Sequence, residues 1–220
     1  MEIPLVLAYF LPIIFLSAFI GHTGKRFVLY LLWGFIASIP VVLLNQAITS
    51  NFPEIVSMEL NISPLIEEFF KALPIIIPVV LGSRNNNRDI LVYALASGIG
   101  FSIVENWALF GKENLDFYAL LIRSFSTSLM HGCTCGIIGY GMVLIRDSHK
   151  KTLPALLLGF FMVAVLIHAV YNLNALYMGL AGAIADLFLP LLLFLFLLVC
   201  YHVDLPTLFR PDPRDFDPPA

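Results

Sequence analysis

Several stretches apolar enough to cross a bilayer carry side chains that can do acid–base or metal chemistry. Glu67, Glu68 and Lys71 sit in Asn61 to Val80, Glu105 and Asn106 in a second stretch, Arg123, Thr127 and His131 in a third, and His168 and Asn172 in a fourth. A charge at the centre of a spanning helix costs roughly 2.5–3.5 kcal/mol on insertion scales, so such groups face a protein interior or a wet cavity and mark function. For Glu67, Glu68, Lys71, Glu105 and Arg123 together the gross cost is on the order of 15 kcal/mol, comparable to the whole stability of an ordinary domain. Mutual pairing must offset most of that, which requires the groups to converge. Carboxylates and imidazoles around one cavity can activate water in two ways. Glu105, His131 and His168 can bind one divalent ion, most plausibly Zn2+, with Glu67 as general base. Alternatively, with no metal, a buried glutamate takes the proton from water with help from a histidine, and His168 with Asn172 donates to the oxyanion.

The spacing supports shared faces. Glu67 and Lys71 are four residues apart and Glu68 and Lys71 three, so these alone could form an interhelical ion-pair staple. Phe101 and Glu105 lie one turn apart, as do His168 and Asn172, while Arg123, Thr127 and His131 form one stripe beside Gly132, Gly136 and Gly139, which let helices approach. Competing structural readings are a snorkelling Arg123 and histidines that only bond between helices. Cys133 and Cys135 follow His131 and suggest soft metal ligands, but positions two apart diverge on a helix. With Cys200 they are read as packing residues, and an odd number without extracellular spacing gives no disulfide framework. Trp33, Trp107 and the tyrosines are assigned to lipid-facing belts.

The elements that position these groups are helices. With 220 residues, 60% hydrophobic and 12% charged, and a mean hydropathy of +0.91, the chain is a polytopic membrane protein and not a soluble globular domain. The charge distribution supports no nucleic-acid partner. About seven spans are expected: Ile3 to Ile20, Phe27 to Ile48, Ile62 to Leu81, Ile90 to Phe110, Phe117 to Ile145, Leu153 to Tyr177 and Ala181 to Tyr201. The start lacks a basic n-region and a cleavage site, so the first span reads as a retained helix. Basic residues follow spans one, three, five and seven, which puts the N-terminus outside the cytoplasm and the C-terminus inside. On that topology the polar residues all lie between the bilayer midplane and the outer surface. In span three, Ser63 is expected to cap the helix and Pro64 to open it, with both glutamates in the first turns. Pro74 and Pro78 remove donors and bend it. A short interfacial helix is expected between Ser50 and Leu60. Residues 1–203 make one helical domain with its polar site on spans three to six, and 204–220 form a cytoplasmic Pro- and Asp-rich tail, extended or disordered.

In this order on successive spans, Glu67-Glu68-x-x-Lys71, Phe101-x-x-x-Glu105-Asn106, the Arg123 to His131 segment and His168-x-x-Tyr171-Asn172 resemble the PrsW-type intramembrane proteases. These belong to a wider group with the CAAX prenyl endopeptidases and the multipass scaffold subunit of gamma-secretase. The CAAX enzymes have a histidine where this chain has Glu105 and an arginine one place after Lys71, so the chain looks more like PrsW. The resemblance implies a protease of a prokaryotic cell membrane that clips a single-pass membrane protein, such as an anti-sigma factor, near the extracytoplasmic face. Carried over, Glu67 is the base, with Glu68, Glu105, His131 and His168 around the water, Asn172 at the oxyanion, and Lys71, Asn106, Arg123 and Thr127 in support. Metal-dependent and glutamate-based mechanisms both stay open, and one Zn2+ is implied only by the first. Two other classes use the same residues: a proton-coupled transporter or channel, which usually shows internal repeats and polar groups at all depths, and a non-catalytic scaffold subunit.

Overall fold

The computed structural model of the protein describes residues 22–52, 62–82, 86–110, 117–146, 153–176 and 180–203. Its described elements are α-helices: α1 (His22–Asn51), α2 (Ser63–Val80), α3 (Asn87–Phe110), α4 (Phe117–Arg146), α5 (Leu153–Leu176) and α6 (Leu180–Val203). Every expected span from Phe27 onward falls on one of them. The expected first span, the interfacial helix over residues 53–60 and the tail from Asp204 lie outside the described residues. Among the described residues, four stretches are long and apolar enough to cross a membrane, Gly24–Asn51, Asn87–Ala108, Arg123–Ile145 and Pro154–Ala175, and α6 adds a shorter apolar one, Asp186–His202. The remaining helix, α2, has 18 residues and carries three charges, Glu67, Glu68 and Lys71.

The centre of the bundle is α4, which packs against α2, α3, α5 and α6. In its apolar stretch 78% is buried, against 28% in α1 and 22% in α5, so α4 is the core helix and α1 and α5 turn most of their surface outward. Its sequence explains this, because small residues all round a helix let neighbours approach from every side. Gly132 and Gly139 meet α3 at Ile99 and Ala94, and Gly136 lies between Leu95 of α3 and Leu197 of α6. Cys133 and Cys135 are buried free thiols in the same surface. Below the polar residues, Ile75 and Val79 of α2 close onto Ile90 and Ala94 of α3 and Met142, Val143 and Ile145 of α4.

Helix α2 is organised by its prolines. Pro74 has no N–H, so the carbonyl of Phe70, four residues earlier, loses its helical donor. The indole Nε1 of Trp33 on α1 supplies a replacement at 2.9 Å. The next carbonyl, that of Lys71, accepts from Ser97 Oγ of α3 at 2.7 Å and from Cys135 Sγ of α4 at 3.7 Å. Three neighbouring helices thus bond the carbonyls of Phe70 and Lys71 beside the charged face. This corrects the assignment of Trp33 to a lipid-facing belt: a proline-freed carbonyl is a stronger claim on an indole N–H than the bilayer interface. Two tyrosines leave the belt as well. Tyr93 is buried and stacks on Tyr30 at 4.6 Å, and Tyr171 is buried between α4 and α5. Trp107 remains exposed. Trp33→Phe keeps most of the ring but strands the Phe70 carbonyl. It is expected to cost about 1–3 kcal/mol, read as a lower melting temperature of the detergent-solubilised chain.

The start of α2 also differs from expectation. Ser63 is the first helical residue and the preceding Ile62 caps without a side-chain bond, so Ser63 does not cap the amides. From its helical position the hydroxyl reaches one turn ahead and donates to Glu67 Oε1 at 2.6 Å. Both glutamates fall in the second turn, since the first contains no acid. There the dipole has weakened, and side-chain partners must hold the charges.

Candidate active site

Glu68 is the hub. It is fully buried, and its Oε1 accepts from Lys71 Nζ at 2.6 Å, Thr134 Oγ1 at 2.9 Å and His168 Nδ1 at 2.8 Å. One carboxylate oxygen therefore joins α2, α4 and α5. Lys71, equally buried, also contacts His131 Nδ1 at 2.7 Å and lies over the Phe101 ring at 5.1 Å. His131 Nε2 in turn pairs with Glu105 Oε2 on α3, whose side chain is one-third exposed. The two imidazoles meet edge to face at 4.8 Å. Glu67 stands on the other side of His168, with Oε2 3.6 Å from His168 Nε2, too long for a hydrogen bond but within ion-pair reach.

The hydrogen-bond chemistry fixes the roles of the two rings. A carboxylate only accepts, so His168 Nδ1 must donate to Glu68, and in the neutral ring the Nε2 lone pair is then aimed toward Glu67. An ammonium only donates, so with Lys71 charged the His131 Nδ1 accepts, and its proton sits on Nε2 facing Glu105. His168 is thus set as a ligand or base, and His131 as a donor to Glu105. Among the described residues, the buried oxygens Glu67 Oε2, Glu68 Oε2, Asn45 Oδ1 and Asp186 Oδ1 have no hydrogen-bond partner. All four are acceptors, and the first three belong to the Glu67–Glu68 network. A buried acceptor with no donor costs about 1–3 kcal/mol, so that part of the network is built to receive a cation, water or an incoming N–H.

The other expected residues are distributed around this centre. Asn106 donates to the Ser124 carbonyl at 3.3 Å, tying α3 to α4. Thr127 and Ser126 both bond Tyr171 OH, at 3.0 and 2.9 Å, so Thr127 holds α5 beside the histidines without joining their cluster. Arg123 is half-buried and interacts with the charge of Asp186 on α6. Asn172 is half-buried on α5, one turn beyond His168. Reasoning from sequence missed Ser97, Thr134, Asp186 and Gly98, and gave Ser63 a capping role where it bonds Glu67. Thr134 had a signal, since it follows His131 by three residues on the same face. Gly98 had none: a Cβ there would lie 2.0 Å from the His131 carbonyl oxygen, so only glycine lets α4 approach α3 at the level of that histidine.

Glu67, His131 and His168 each offer one ligand atom, and these atoms lie within 4.8 Å of one another. The grouping differs from the expected one by having Glu67 where Glu105 was anticipated, because Glu105 pairs with His131 from the more open side. A family model described as PrsW family intramembrane metalloprotease matches residues 24–201, which contain every one of these side chains. The chain belongs to the PrsW family. As a PrsW member it is an intramembrane protease, a hydrolase, and a multi-pass integral membrane protein. No curated protein and no solved structure matches it. The donor set suits the metal that the PrsW description implies: His168 Nε2 presents a lone pair, its Nδ1 is anchored on a carboxylate in the manner usual for metal-binding histidines, and Glu67 Oε2 is buried and free.

Proposed function

We propose that this PrsW protease cuts a single-pass membrane protein in the extracytoplasmic half of the bilayer, as a regulatory step on a protein of the anti-sigma-factor kind. The observation that carries this is the buried, unpartnered Oε2 of Glu67 beside His168 Nε2, with Glu105 one-third exposed at the entrance. Glu67 takes the proton from the attacking water, because its unpartnered Oε2 lies beside His168 Nε2, while Glu68, whose Oε2 is unpartnered as well, is committed through Oε1 to Lys71, Thr134 and His168. Glu68 orients His168, and Lys71 neutralises it. Glu105 and His131 act as one hydrogen-bonded pair next to the scissile carbonyl. Asn172 supports the oxyanion, Arg123 orients the outer end of the site, and Asn106 and Thr127 hold its helices. One Zn2+ would be held by Glu67 and His168, and by His131 once its Nε2 proton has passed to Glu105, and would supply a Lewis acid that polarises the carbonyl and lowers the water's pKa, with Glu67 then a ligand in place of the base.

Seven spans with an extracytoplasmic N-terminus and a cytoplasmic tail put the cluster in the outer half of a prokaryotic cell membrane. Residues 1–203 form the catalytic domain, and a substrate helix enters the bundle from the side near Pro74 of α2, where its peptide bonds must unwind to be reached. The test is reconstitution of the purified chain in liposomes with a tagged single-pass protein that carries helix-breaking residues in the outer half of its segment. Cleavage mapped by mass spectrometry to that half is the expected result. Intact protein accompanied by proton flux across the liposome would replace the protease reading by a transporter.

A further inference from the structure

The Glu67 carboxylate is held from a direction that the histidines do not explain. Its Oε1 accepts from Ser63 Oγ at 2.6 Å, and Ser63 Oγ is itself 2.7 Å from Asn45 Nδ2 on α1. The direction of these bonds follows from chemistry alone. A carboxylate cannot donate, so the single hydroxyl hydrogen of Ser63 is committed to Glu67. The hydroxyl oxygen can then only accept from Asn45, which fixes the amide with its NH2 toward Ser63 and its Oδ1 turned away. The Oδ1 is buried and has no hydrogen-bond partner among the described residues. Ser63 is buried as well, so no bulk water competes for its hydroxyl.

We propose that Asn45 and Ser63 form a positioning relay for Glu67: α1 fixes the rotation of the Ser63 hydroxyl, and Ser63 pins Oε1 so that Oε2 is the oxygen turned to His168. This rests on Glu67 being the water-activating carboxylate. Without the relay the carboxylate is free to rotate, and either oxygen, or neither, faces the imidazole. The energetic reason to build the relay is that a carboxylate with one oxygen satisfied and one free has a single low-energy orientation. Outer-shell partners of this kind typically change metal affinity or activity by about 10–100-fold when removed.

The test has a structural and a kinetic arm. Glutamate labelled with 13C at the carboxyl carbon is introduced into the full chain in detergent, and the Glu67 signal is assigned by its loss in Glu67→Gln. Ser63→Ala is expected to move that signal, Asn45→Ala to move it less, and Ser63→Thr, which keeps the hydroxyl, to return it toward the wild-type position. On a tagged single-pass substrate in liposomes, Ser63→Ala is expected to lower kcat about 10–100-fold with little change in KM, and Ser63→Thr to recover much of the loss. Asn45→Ala added to Ser63→Ala should cost little more than Ser63→Ala alone, since both act through one bond. An unmoved Glu67 signal in Ser63→Ala overturns the relay whatever the kinetics, and so does a moved signal with an unchanged kcat. A moved signal in a chain whose wild type cleaves nothing upholds the geometry and counts against the protease reading instead.

Discussion

Glu68→Ala is expected to destabilise the protein by about 3–5 kcal/mol, the cost typical of removing one partner from a buried ion pair. The loss is larger than that of a charge alone. Lys71 is fully buried, and without Glu68 its ammonium keeps, among the described residues, the His131 nitrogen and the Phe101 ring. The same substitution takes the acceptor from Thr134 and from His168 Nδ1, so three of the helices around the site lose their common point. Thermal unfolding of the solubilised variant, followed by tryptophan fluorescence and size-exclusion profile, should show a sharply lowered transition or an aggregated protein. Glu68→Gln keeps an acceptor oxygen and should fall between the two. A Glu68→Ala chain as stable as wild type would mean that the hub is held by other contacts.

Its neighbour should behave in the opposite way. Glu67→Gln keeps the shape of the side chain and an oxygen for Ser63, and the carboxylate's direct contact with another helix is the long 3.6 Å one to His168 of α5. The chain should therefore fold with a melting temperature close to that of wild type. Cleavage should fall by about 10²–10⁴-fold, the usual contribution of a general base. The measurement is initial rate on the liposome substrate, with each variant matched for folded protein. A Glu67→Gln enzyme cutting at the wild-type rate would remove the base from its assigned place. Two adjacent acids thus separate stability from chemistry, and the difference lies in how many donors each one's oxygens already hold.

Glu67-Glu68-x-x-Lys71 and the two histidines could be read from sequence because the bilayer makes their presence costly and helical spacing fixes which side chains share a face. Composition and length were enough for six of the expected helices. The finer assignments were out of reach for particular reasons. Ser63 carries the residue type of a cap, and only the starting point of α2, one residue earlier than a cap requires, turns its hydroxyl to Glu67 instead. Trp33 resembles a belt residue until the carbonyl freed by Pro74 comes within reach, and that pairing spans 37 residues. Asp186 lies in a strongly apolar stretch where its isolated charge drew no attention, and Gly98 matters through a backbone atom of another helix. That Glu67 lies close enough to both histidines to share a ligand position depends on how α2, α4 and α5 pack, which no spacing rule contains.

Elemental analysis of the purified chain beside His168→Ala tests most directly whether Glu67, His131 and His168 form one hydrolytic centre. About one zinc per chain in the wild type, absent from a folded His168→Ala protein and removed by chelator together with cleavage, is the predicted result. Wild-type protein that carries no metal and cleaves at full rate in chelator would contradict the metal centre and leave hydrolysis to the glutamates and histidines alone.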